Sequence, residues 1–307
     1  MCTAIARGNL AGRTLDYECS FGEKIVVLPK GYSFRLVHEG KIRSRHRIIG
    51  ICHMADGVPL FYDGINDCGV GVFALNFPGY ASYGKKKEES LNLASFEVIS
   101  YILSLASSLE EALNMLTSLN ITDDSFSDGL PPTPLHWLVA DREGSAVIEP
   151  LSGGVKIRPN PVGVLTNSPP FDYHLTRLSE ILTLHPGAPD NRLARKLNIK
   201  PYSRGMGAMG LPGDYSSVSR FLRAAFVKEN IRVGEEGDIE SFFHIMDSVA
   251  VPMGCLETES GEPVKTVYTS CADLQRFKYY FTTYNNRQIR EFLPSWDNEK
   301  IEVLNFE

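Results

Sequence analysis

The sequence predicts an α+β fold, a four-layer αββα sandwich in which helices cover the outer faces of two mainly antiparallel sheets. The prediction depends on the order of the elements, because strand-like and helix-like segments follow one another in blocks. These blocks lack the regular strand–helix–strand alternation that builds a parallel sheet. The 307 residues contain no internal repeat, low-complexity run or obvious linker, so we expect a single domain, 1–307.

Strand-like segments dominate the first third of the chain and are rich in Val, Ile, Phe and Tyr between Gly, Asn and Asp residues. They cover residues 3–6, 23–29, 47–54, 59–66 and 69–77. Strands resume at PLHWLVAD, SAVIEPL, VKIRP and VGVLTN. Near the end of the chain, KTVYTSCADLQRFKYYFTTY is predicted to form a long hairpin.

Helices are predicted between and after these strand blocks. In SFEVISYILSLASS, apolar residues recur at helical spacing, at Phe96, Ile99, Ile102, Leu103 and Ala106. Ser108 and Glu111 form a capping box ahead of EEALNMLTSL. A second helical region covers 217–228 and 238–249.

Composition limits the partners and the location that can be expected. The net charge of −6 and the pI near 5.7 argue against nucleic acid or an anionic membrane as the main partner. The first residues contain no apolar signal region, and no segment reaches the roughly 18 to 20 apolar residues that span a bilayer. The sequence therefore predicts a cytoplasmic protein with no membrane partner.

No metal or cofactor motif stands out. The six cysteines form no CxxC pair, and the seven histidines are scattered without HExxH spacing, so we assign none of them to a metal. GMGAMG at 205–210 matches a dinucleotide-binding pattern, but Pro212 interrupts the helix that should follow, and a glycine-rich loop is the favoured interpretation.

Cys2 is chemically unusual because removal of Met1 would give it a free α-amine. An α-amino group titrates near about 7.7 to 8.0 and a free thiol near about 8.5, so the amine can take the thiol proton close to neutral pH. One residue would then supply both the nucleophile and its general base.

Arg13 and Asp16 are candidate partners of Cys2. A hairpin turning around Gly8 to Gly12 would bring both beside the N-terminus, where a cation favours the thiolate and a carboxylate can orient the amine. Residues three apart lie on opposite faces of a regular strand. Both can therefore address Cys2 only if the strand is bulged or Arg13 sits at its entrance. The alternative is an ordinary hairpin with a surface Arg–Asp pair.

Five segments occur together in a family-specific order: MCT, GRTLD, LNFPGYASY, LTNSPPFDYH and GLPGDYSSVSRFLRAAF. In this set the sequence resembles the choloylglycine hydrolase family, which comprises conjugated bile acid hydrolases and penicillin V acylases of the N-terminal nucleophile hydrolase class. The resemblance extends over essentially the whole chain. It implies the N-terminal nucleophile hydrolase fold, no cofactor and a homotetramer.

The resemblance also implies a role for each matching residue. Cys2 is the nucleophile once Met1 is removed, Arg13 lies beside the thiol, and Asp16 holds the α-amine. Asn76 and Asn167 help to form the oxyanion hole, and Arg220 completes the charged surround of the nucleophile.

The implied reaction is hydrolysis of the amide bond in glycine- or taurine-conjugated bile acids through an acyl thioester. The pocket should be mostly apolar, and its lining is expected at Leu15, Tyr62, Phe126 and Leu130. Alternatives are a penicillin V acylase, another N-acyl amidase such as an acyl-homoserine lactone acylase, or a catalytically silent protein with the same fold. Asn76 favours bile salts, because many penicillin V acylases have tyrosine at that position.

Overall fold

Strands are the main regular elements of the protein. The computed structural model describes residues 1–194, 196–232, 238–294 and 300–305. The strands in these ranges are β1 (Cys2–Arg7), β2 (Leu10–Tyr17), β3 (Lys24–Leu28), β4 (Ser33–Leu36), β5 (Gly40–Arg43), β6 (Ile48–Ala55), β7 (Val58–Asn66), β8 (Gly71–Asn76), β9 (Leu91–Ala94), β10 (Leu119–Thr122), β11 (Leu135–Asp141), β12 (Gly144–Leu151), β13 (Gly154–Pro159), β14 (Val164–Leu165), β15 (Lys265–Asp273), β16 (Lys278–Thr283), β17 (Arg290–Phe292) and β18 (Glu302–Asn305).

The α-helices described within the same ranges are α1 (Val98–Leu105), α2 (Leu109–Met115), α3 (Phe171–Arg177), α4 (Ser217–Asn230) and α5 (Asp238–Asp247). Short 3₁₀ turns cover Ser95–Glu97, Leu178–Ile181 and Met206–Ala208. None of the helices in the described part of the chain is long and apolar enough to cross a lipid bilayer.

Two large sheets organise the described strands. A six-stranded sheet has the order β14-β1-β2-β15-β16-β17, and an eight-stranded sheet has the order β13-β12-β11-β8-β7-β6-β3-β18. All pairings within both sheets are antiparallel. Two small pairs accompany them, β4 with β5 and the parallel pair β9 with β10.

Successive side chains along a strand pack into two different hydrophobic cores, one on each face of the sheet. In β8, Phe73 and Leu75 pack with residues of the six-stranded sheet, whereas Val72 and Ala74 pack on the opposite face with α1. This parity is the expected result of successive side chains pointing to opposite faces of a strand. Helices α4 and α5 cover the outer face of the six-stranded sheet, where α5 packs on β2 and β15. The predicted α+β sandwich of four layers, αββα, is therefore confirmed.

Two glycines shape the hairpin that begins the chain. Gly8 has φ of +57°, which suits the two-residue turn joining β1 to β2. Gly12 lies in β2 against β15, where a Cβ would collide with the backbone carbonyl of Ser270. The predicted hairpin around 8–12 is thus present, with Arg7 opposite Leu10 at its turn.

Several local features differ from the sequence prediction. Ser108 caps α2 by accepting from the backbone N–H of Glu111, but the Glu111 carboxylate accepts from the N–H of Ser107 rather than that of Ser108. The predicted strand VGVLTN is reduced to the two residues of β14. The edge strand β18 was not predicted, because it has only four residues and pairs with β3 near the other end of the chain.

Candidate active site

Cys2 is the first residue of β1 and is 1% exposed. Its Cα pairs with that of Leu15, and Ala4 pairs with Arg13, so these four side chains share one face of the six-stranded sheet. That face is turned toward the eight-stranded sheet. The pairing of β1 with β2 therefore places the thiol and Arg13 together between the two sheets.

Arg13 crosses the gap between the sheets. Its Nη2 donates to Cys2 Sγ at 2.6 Å, while Nη1 donates to the backbone carbonyls of Ala74 and Tyr62 on the facing sheet. Burial opposes the charge of Arg13, but the nearby Cys2, Tyr268 and Asp63 outweigh it and raise the pKa of the guanidinium above its usual value. The thiol is therefore in direct contact with a permanent, fully buried cation.

Arg220 reaches Cys2 from the other side of the six-stranded sheet. It lies in the first turn of α4, and its Nη1 donates to the carbonyl oxygen of Cys2 and to Thr3 Oγ1, both at 2.6 Å. Its Nη2 donates to Asn167 Oδ1 at 2.7 Å. Burial lowers the pKa of Arg220, and the charges of Asp16 and Cys2 act against that effect.

Asn167 follows β14 and contacts the N-terminus directly. Its Oδ1 accepts from the backbone nitrogen of Cys2 at 2.8 Å as well as from Arg220. Because both partners can only donate, the orientation of this amide is determined by its surroundings. Thr166 holds the segment in place by donating through Oγ1 to the carbonyl of Ser217 in α4 at 3.0 Å.

Asp16 lies on the opposite face of β2 from Arg13. Its carboxylate accepts from Thr266 Oγ1 at 2.7 Å and from Thr14 Oγ1 at 3.1 Å, and it lies 3.9 Å from Arg220 Nη1. Its backbone pairs with Met1, with the N–H of Asp16 donating to the Met1 carbonyl at 2.8 Å. The carboxylate is therefore beside the N-terminal segment but on the helix-covered face.

The prediction that β2 is bulged, or that Arg13 lies at the entrance of the strand, is wrong. Strand β2 pairs in continuous register with β1, and Arg13 lies in its middle. The irregularity lies in β15, between Thr266 and Tyr268. It allows Thr266 to contact Asp16 on one face while Tyr268 donates to Asp63 on the other.

An apolar cavity of about 270 Å³ opens onto the thiol. It is lined by Cys2, Arg13, Leu15, Tyr17, Phe21, His53, Leu60, Phe61, Tyr62, Ala74, Asn76, Ser95, Phe96, Phe126, Leu130, Pro131, Thr133 and Leu135. All four residues predicted to contact substrate are among them. A larger cleft of about 580 Å³ adjoins the β1–β2 turn and is lined mainly by polar side chains. The smaller cavity is the candidate substrate site, because it contains Cys2.

Asn76 ends β8 at the edge of this cavity. Its Oδ1 is buried without a hydrogen-bond partner among the described residues, and its backbone carbonyl accepts from Asn167 Nδ2 at 2.7 Å. The structure thus brings together all six residues predicted from the resemblance. Asn167 links the N-terminus, Arg220 and Asn76 in one hydrogen-bonded chain.

Asp63 is a buried residue that sequence reasoning missed. Its carboxylate accepts from Tyr268 and Tyr279 hydroxyls and, at 3.4 Å, from Ser270 Oγ. Burial raises its pKa, whereas the charge of Arg13 and the three hydroxyl donors act in the opposite direction. A lone aspartate within the strand-like segment PLFYDGIN was the available signal, since a buried carboxylate requires partners.

His174 was also missed. It is fully buried in α3, and its Nε2 lies 3.0 Å from the carbonyl oxygen of Asn167, so Nε2 bears the proton. Burial lowers its pKa to about 4. A neutral histidine therefore fixes the backbone of Asn167 from behind, and it does not contact the cavity.

The arrangement is suited to nucleophilic chemistry. A sulfur atom lies at the base of an apolar cavity, next to one guanidinium, and a second guanidinium binds the carbonyl of the same residue. Positive charge close to a thiol favours the thiolate, which is its reactive form.

Comparison with known proteins agrees with this geometry. The sequence model of the linear amide C–N hydrolases, choloylglycine hydrolase family, matches residues 2–301. A bile salt hydrolase/transferase from Lactiplantibacillus plantarum is 42% identical over 294 residues, which cover 94% of this chain and 91% of that protein.

Solved structures give the same result. The mutant C2A conjugated bile acid hydrolase from Clostridium perfringens has a TM-score of 0.91 at 31% identity, with 100% of this chain and 97% of that chain covered. Penicillin V acylase from Agrobacterium tumefaciens has a TM-score of 0.77 at 21% identity, covering 99% and 91% of the two chains, and it shares the fold. The predicted family and hydrolase class are confirmed. The chain belongs to the choloylglycine hydrolase family of linear amide C–N hydrolases.

Proposed function

We propose that this enzyme is a bile salt hydrolase that cleaves the amide bond joining a bile acid to glycine or taurine, with Cys2 as the nucleophile. The observation that carries the proposal is the position of Cys2 Sγ, which contacts Arg13 at 2.6 Å and borders an apolar cavity. An amphipathic acyl group would occupy the cavity and present its amide carbon to the sulfur. The names of the relatives in L. plantarum and C. perfringens support this substrate class.

Removal of Met1 is part of the proposal. The Cys2 nitrogen would become an α-amine that retains Asn167 Oδ1, now 2.8 Å away, as its hydrogen-bond acceptor. Loss of Met1 would also free the backbone N–H and carbonyl of Asp16, which pair with Met1. We propose that Asp16 and Asn167 together orient the amine, so that it can take the thiol proton.

The reaction would proceed in two balanced steps. The Cys2 sulfur forms a bond to the amide carbon while its proton passes to the α-amine. The C–N bond then breaks, and the departing amino acid takes that proton from the α-ammonium. Water adds to the resulting thioester, again losing a proton to the amine, and the bile acid leaves as the thiol is restored.

Asn76 and Asn167 are proposed to surround the oxyanion. Asn76 and Cys2 line the same cavity, and Asn167 Nδ2 donates to the Asn76 carbonyl. A single oxyanion-hole donor contributes about 10² to 10³ in rate in other hydrolases. Asn167 has a second proposed role, because its Oδ1 holds the N-terminus.

Penicillin V acylase activity is the second candidate, favoured by one observation. The cavity volume of about 270 Å³ lies just below the roughly 300–1,000 Å³ that ligand sites span, and Tyr62 is among the side chains that line it. A large steroid would require the segment around Phe126 and Leu130 to move outward. Asn76 in place of the tyrosine expected for many penicillin V acylases still favours bile salts.

Assembly and location also belong to the proposal. We infer a cytoplasmic homotetramer acting in bile-acid lipid metabolism, on the strength of the membership of the chain in this family. Light scattering coupled to size-exclusion chromatography measures the assembly, and a mass near four times 34.1 kDa is the expected result.

The test compares turnover of glycocholate, taurocholate and penicillin V by purified enzyme. We expect faster cleavage of the bile salts; faster cleavage of penicillin V would reverse the ranking. Intact mass should show loss of Met1. Cys2→Ala should remain folded and lose hydrolysis by at least about 10³-fold, and unchanged turnover by this variant would refute the mechanism.

A further inference from the structure

Three side chains of different chemistry meet at the far end of β8 from Asn76. Asp67 and Cys68 lie in the turn between β7 and β8, and His46 lies just before β6. Cys68 Sγ is 3.3 Å from His46 Nδ1, and the same Nδ1 is 3.6 Å from Asp67 Oδ1. The three atoms lie within 4.8 Å of one another, and none of these residues borders the Cys2 cavity.

The two oxygens of the Asp67 carboxylate differ in their partners. Its side chain is 8% exposed, and Oδ2 receives Arg47 Nε at 3.1 Å and Lys30 Nζ at 3.4 Å. Oδ1 is buried and has no hydrogen-bond donor among the described residues, although it points toward His46. A buried carboxylate oxygen without a hydrogen-bond donor is unfavourable, so this atom is a candidate ligand for a cation.

Two of the three separations match those between ligand atoms of a tetrahedral metal site. Zinc binds sulfur at about 2.3 Å, histidine nitrogen at about 2.0 Å and carboxylate oxygen at about 2.1 Å. With tetrahedral angles, such ligand atoms lie about 3.4 to 3.6 Å apart. The observed 3.3 Å and 3.6 Å separations are close to these values.

The surroundings also suit metal binding. His46 Nε2 lies 3.5 Å from Ser107 Oγ, in the position of the outer hydrogen bond that orients many metal-bound histidines. Asn66 fixes the turn by accepting from the N–H of Cys68 at 3.1 Å and donating to the carbonyls of Leu103 and Ala106. Cys68 is exposed, which leaves a fourth position open to water.

We propose that His46, Asp67 and Cys68 form a binding site for a zinc-type divalent cation, with water as the fourth ligand. Binding would replace the thiol proton of Cys68, which passes to solvent, and would leave the imidazole neutral. Arg47 and Lys30 remain on Oδ2, so the carboxylate binds through Oδ1 alone and their repulsion weakens the affinity. Sequence spacing did not indicate the site, because His46 and Cys68 are 22 positions apart.

The position of the proposed site in the fold indicates what a bound metal would do. The site joins the start of β6, the β7–β8 turn and the end of α1, and β8 separates it from Asn76. We therefore expect bound cation to stabilise the eight-stranded sheet against unfolding rather than to take part in the reaction at Cys2.

The test titrates Zn²⁺ and Co²⁺ into full-length protein that has been treated with a chelator and desalted. All proteins compared in this test carry Cys2→Ala, because that substitution removes the second thiol that lies next to charged side chains. Calorimetry should give one equivalent of Zn²⁺, and Co²⁺ should give a thiolate charge-transfer band. Cys68→Ser should abolish the band and weaken Zn²⁺ binding at least tenfold. Cys255→Ser, an exposed cysteine outside the cluster, should behave as the Cys2→Ala protein does.

A second measurement separates metal binding from simple thiol reactivity. Alkylation of Cys68 by iodoacetamide, followed by mass spectrometry, should slow at least tenfold when Zn²⁺ is present, and His46→Gln should remove that protection. Equal alkylation rates with and without Zn²⁺ would identify a reactive thiol instead and overturn the proposal. Equal Zn²⁺ affinity of the Cys68→Ser and Cys255→Ser variants would overturn it too.

Discussion

Arg13 and Arg220 approach Cys2 from opposite faces of the six-stranded sheet. Arg13 contacts the sulfur from the face between the sheets, and Arg220 contacts the carbonyl oxygen from the helix-covered face. Both are fully buried, with Asp63 near the first and Asp16 near the second. Cys2 is thus held between two cations, each near its own carboxylate.

Loss of the Arg13 guanidinium should slow the reaction of Cys2. Because a hydrogen bond to a charged group contributes about 1.5–3 kcal/mol, we expect Arg13→Met to lower kcat/KM by about 10- to 100-fold. Carboxymethylation of Cys2 at pH 7 should slow in parallel. Arg13→Met with Asp63→Asn is the control for misfolding, because it removes the opposing buried charge as well. If this double variant recovers both stability and activity, Arg13 has only a structural role.

Asn167 should act mainly by holding the N-terminus and Arg220. Asn167→Leu leaves two buried donors without an acceptor, and each costs about 1–3 kcal/mol, so we expect lower stability and a fall in kcat of about 10²-fold or more. Asn167→Asp keeps the accepting oxygens and should retain more activity. Steady-state kinetics check this order. Equal loss in both variants would show that Nδ2, and thus oxyanion stabilisation, dominates.

Phe126 should contribute to substrate binding and not to the chemical step. It lines the cavity, and its ring packs edge-on against the ring of Phe96, with 5.5 Å between the ring centroids. Since burying a phenylalanine side chain contributes about 1.5–3 kcal/mol, Phe126→Ala should raise KM for glycocholate by about tenfold with little change in kcat. Leu182→Ala, an exposed residue away from the cavity, is the matched control. A change in kcat alone would contradict the assignment.

His174 should make the fold sensitive to mild acid. Its folded-state pKa of about 4 lies below the ordinary value of 6.5, because burial disfavours the charged ring. As pH falls below 6.5 the unfolded chain binds this proton first, so the free energy of unfolding decreases until the folded form also protonates near pH 4. The loss attributable to His174 is at most about 3 kcal/mol.

Urea unfolding at intervals between pH 7 and pH 4 measures this effect. We expect His174→Gln, which can still donate to the Asn167 carbonyl, to show a shallower decline in stability than the parent protein. The buried His136, whose pKa is also lowered by burial, remains in both proteins. Identical slopes would show that His174 is not responsible.

The local sequence pattern was sufficient to predict much of the fold and one part of the candidate site. The 8–12 hairpin and most of the long strands follow from residue alternation and turn residues, which act over a few positions. The strand β18 was missed because it pairs with β3 across almost the whole chain. The bulge in β15 was missed because it depends on which partners Thr266 and Tyr268 find.

The sequence by itself was sufficient to predict the chemistry proposed for Cys2, since its thiol and the amine that removal of Met1 would free are joined covalently and need no fold to be close. The tertiary structure decided what surrounds that residue. Asn167 and Arg220 reach it from 165 and 218 positions away, and Asp63 and His174 support it from elements with no sequence signal of contact. It also decided that Arg13 faces the thiol while Asp16 faces the helices, because strand parity sends these side chains to opposite sides of one sheet.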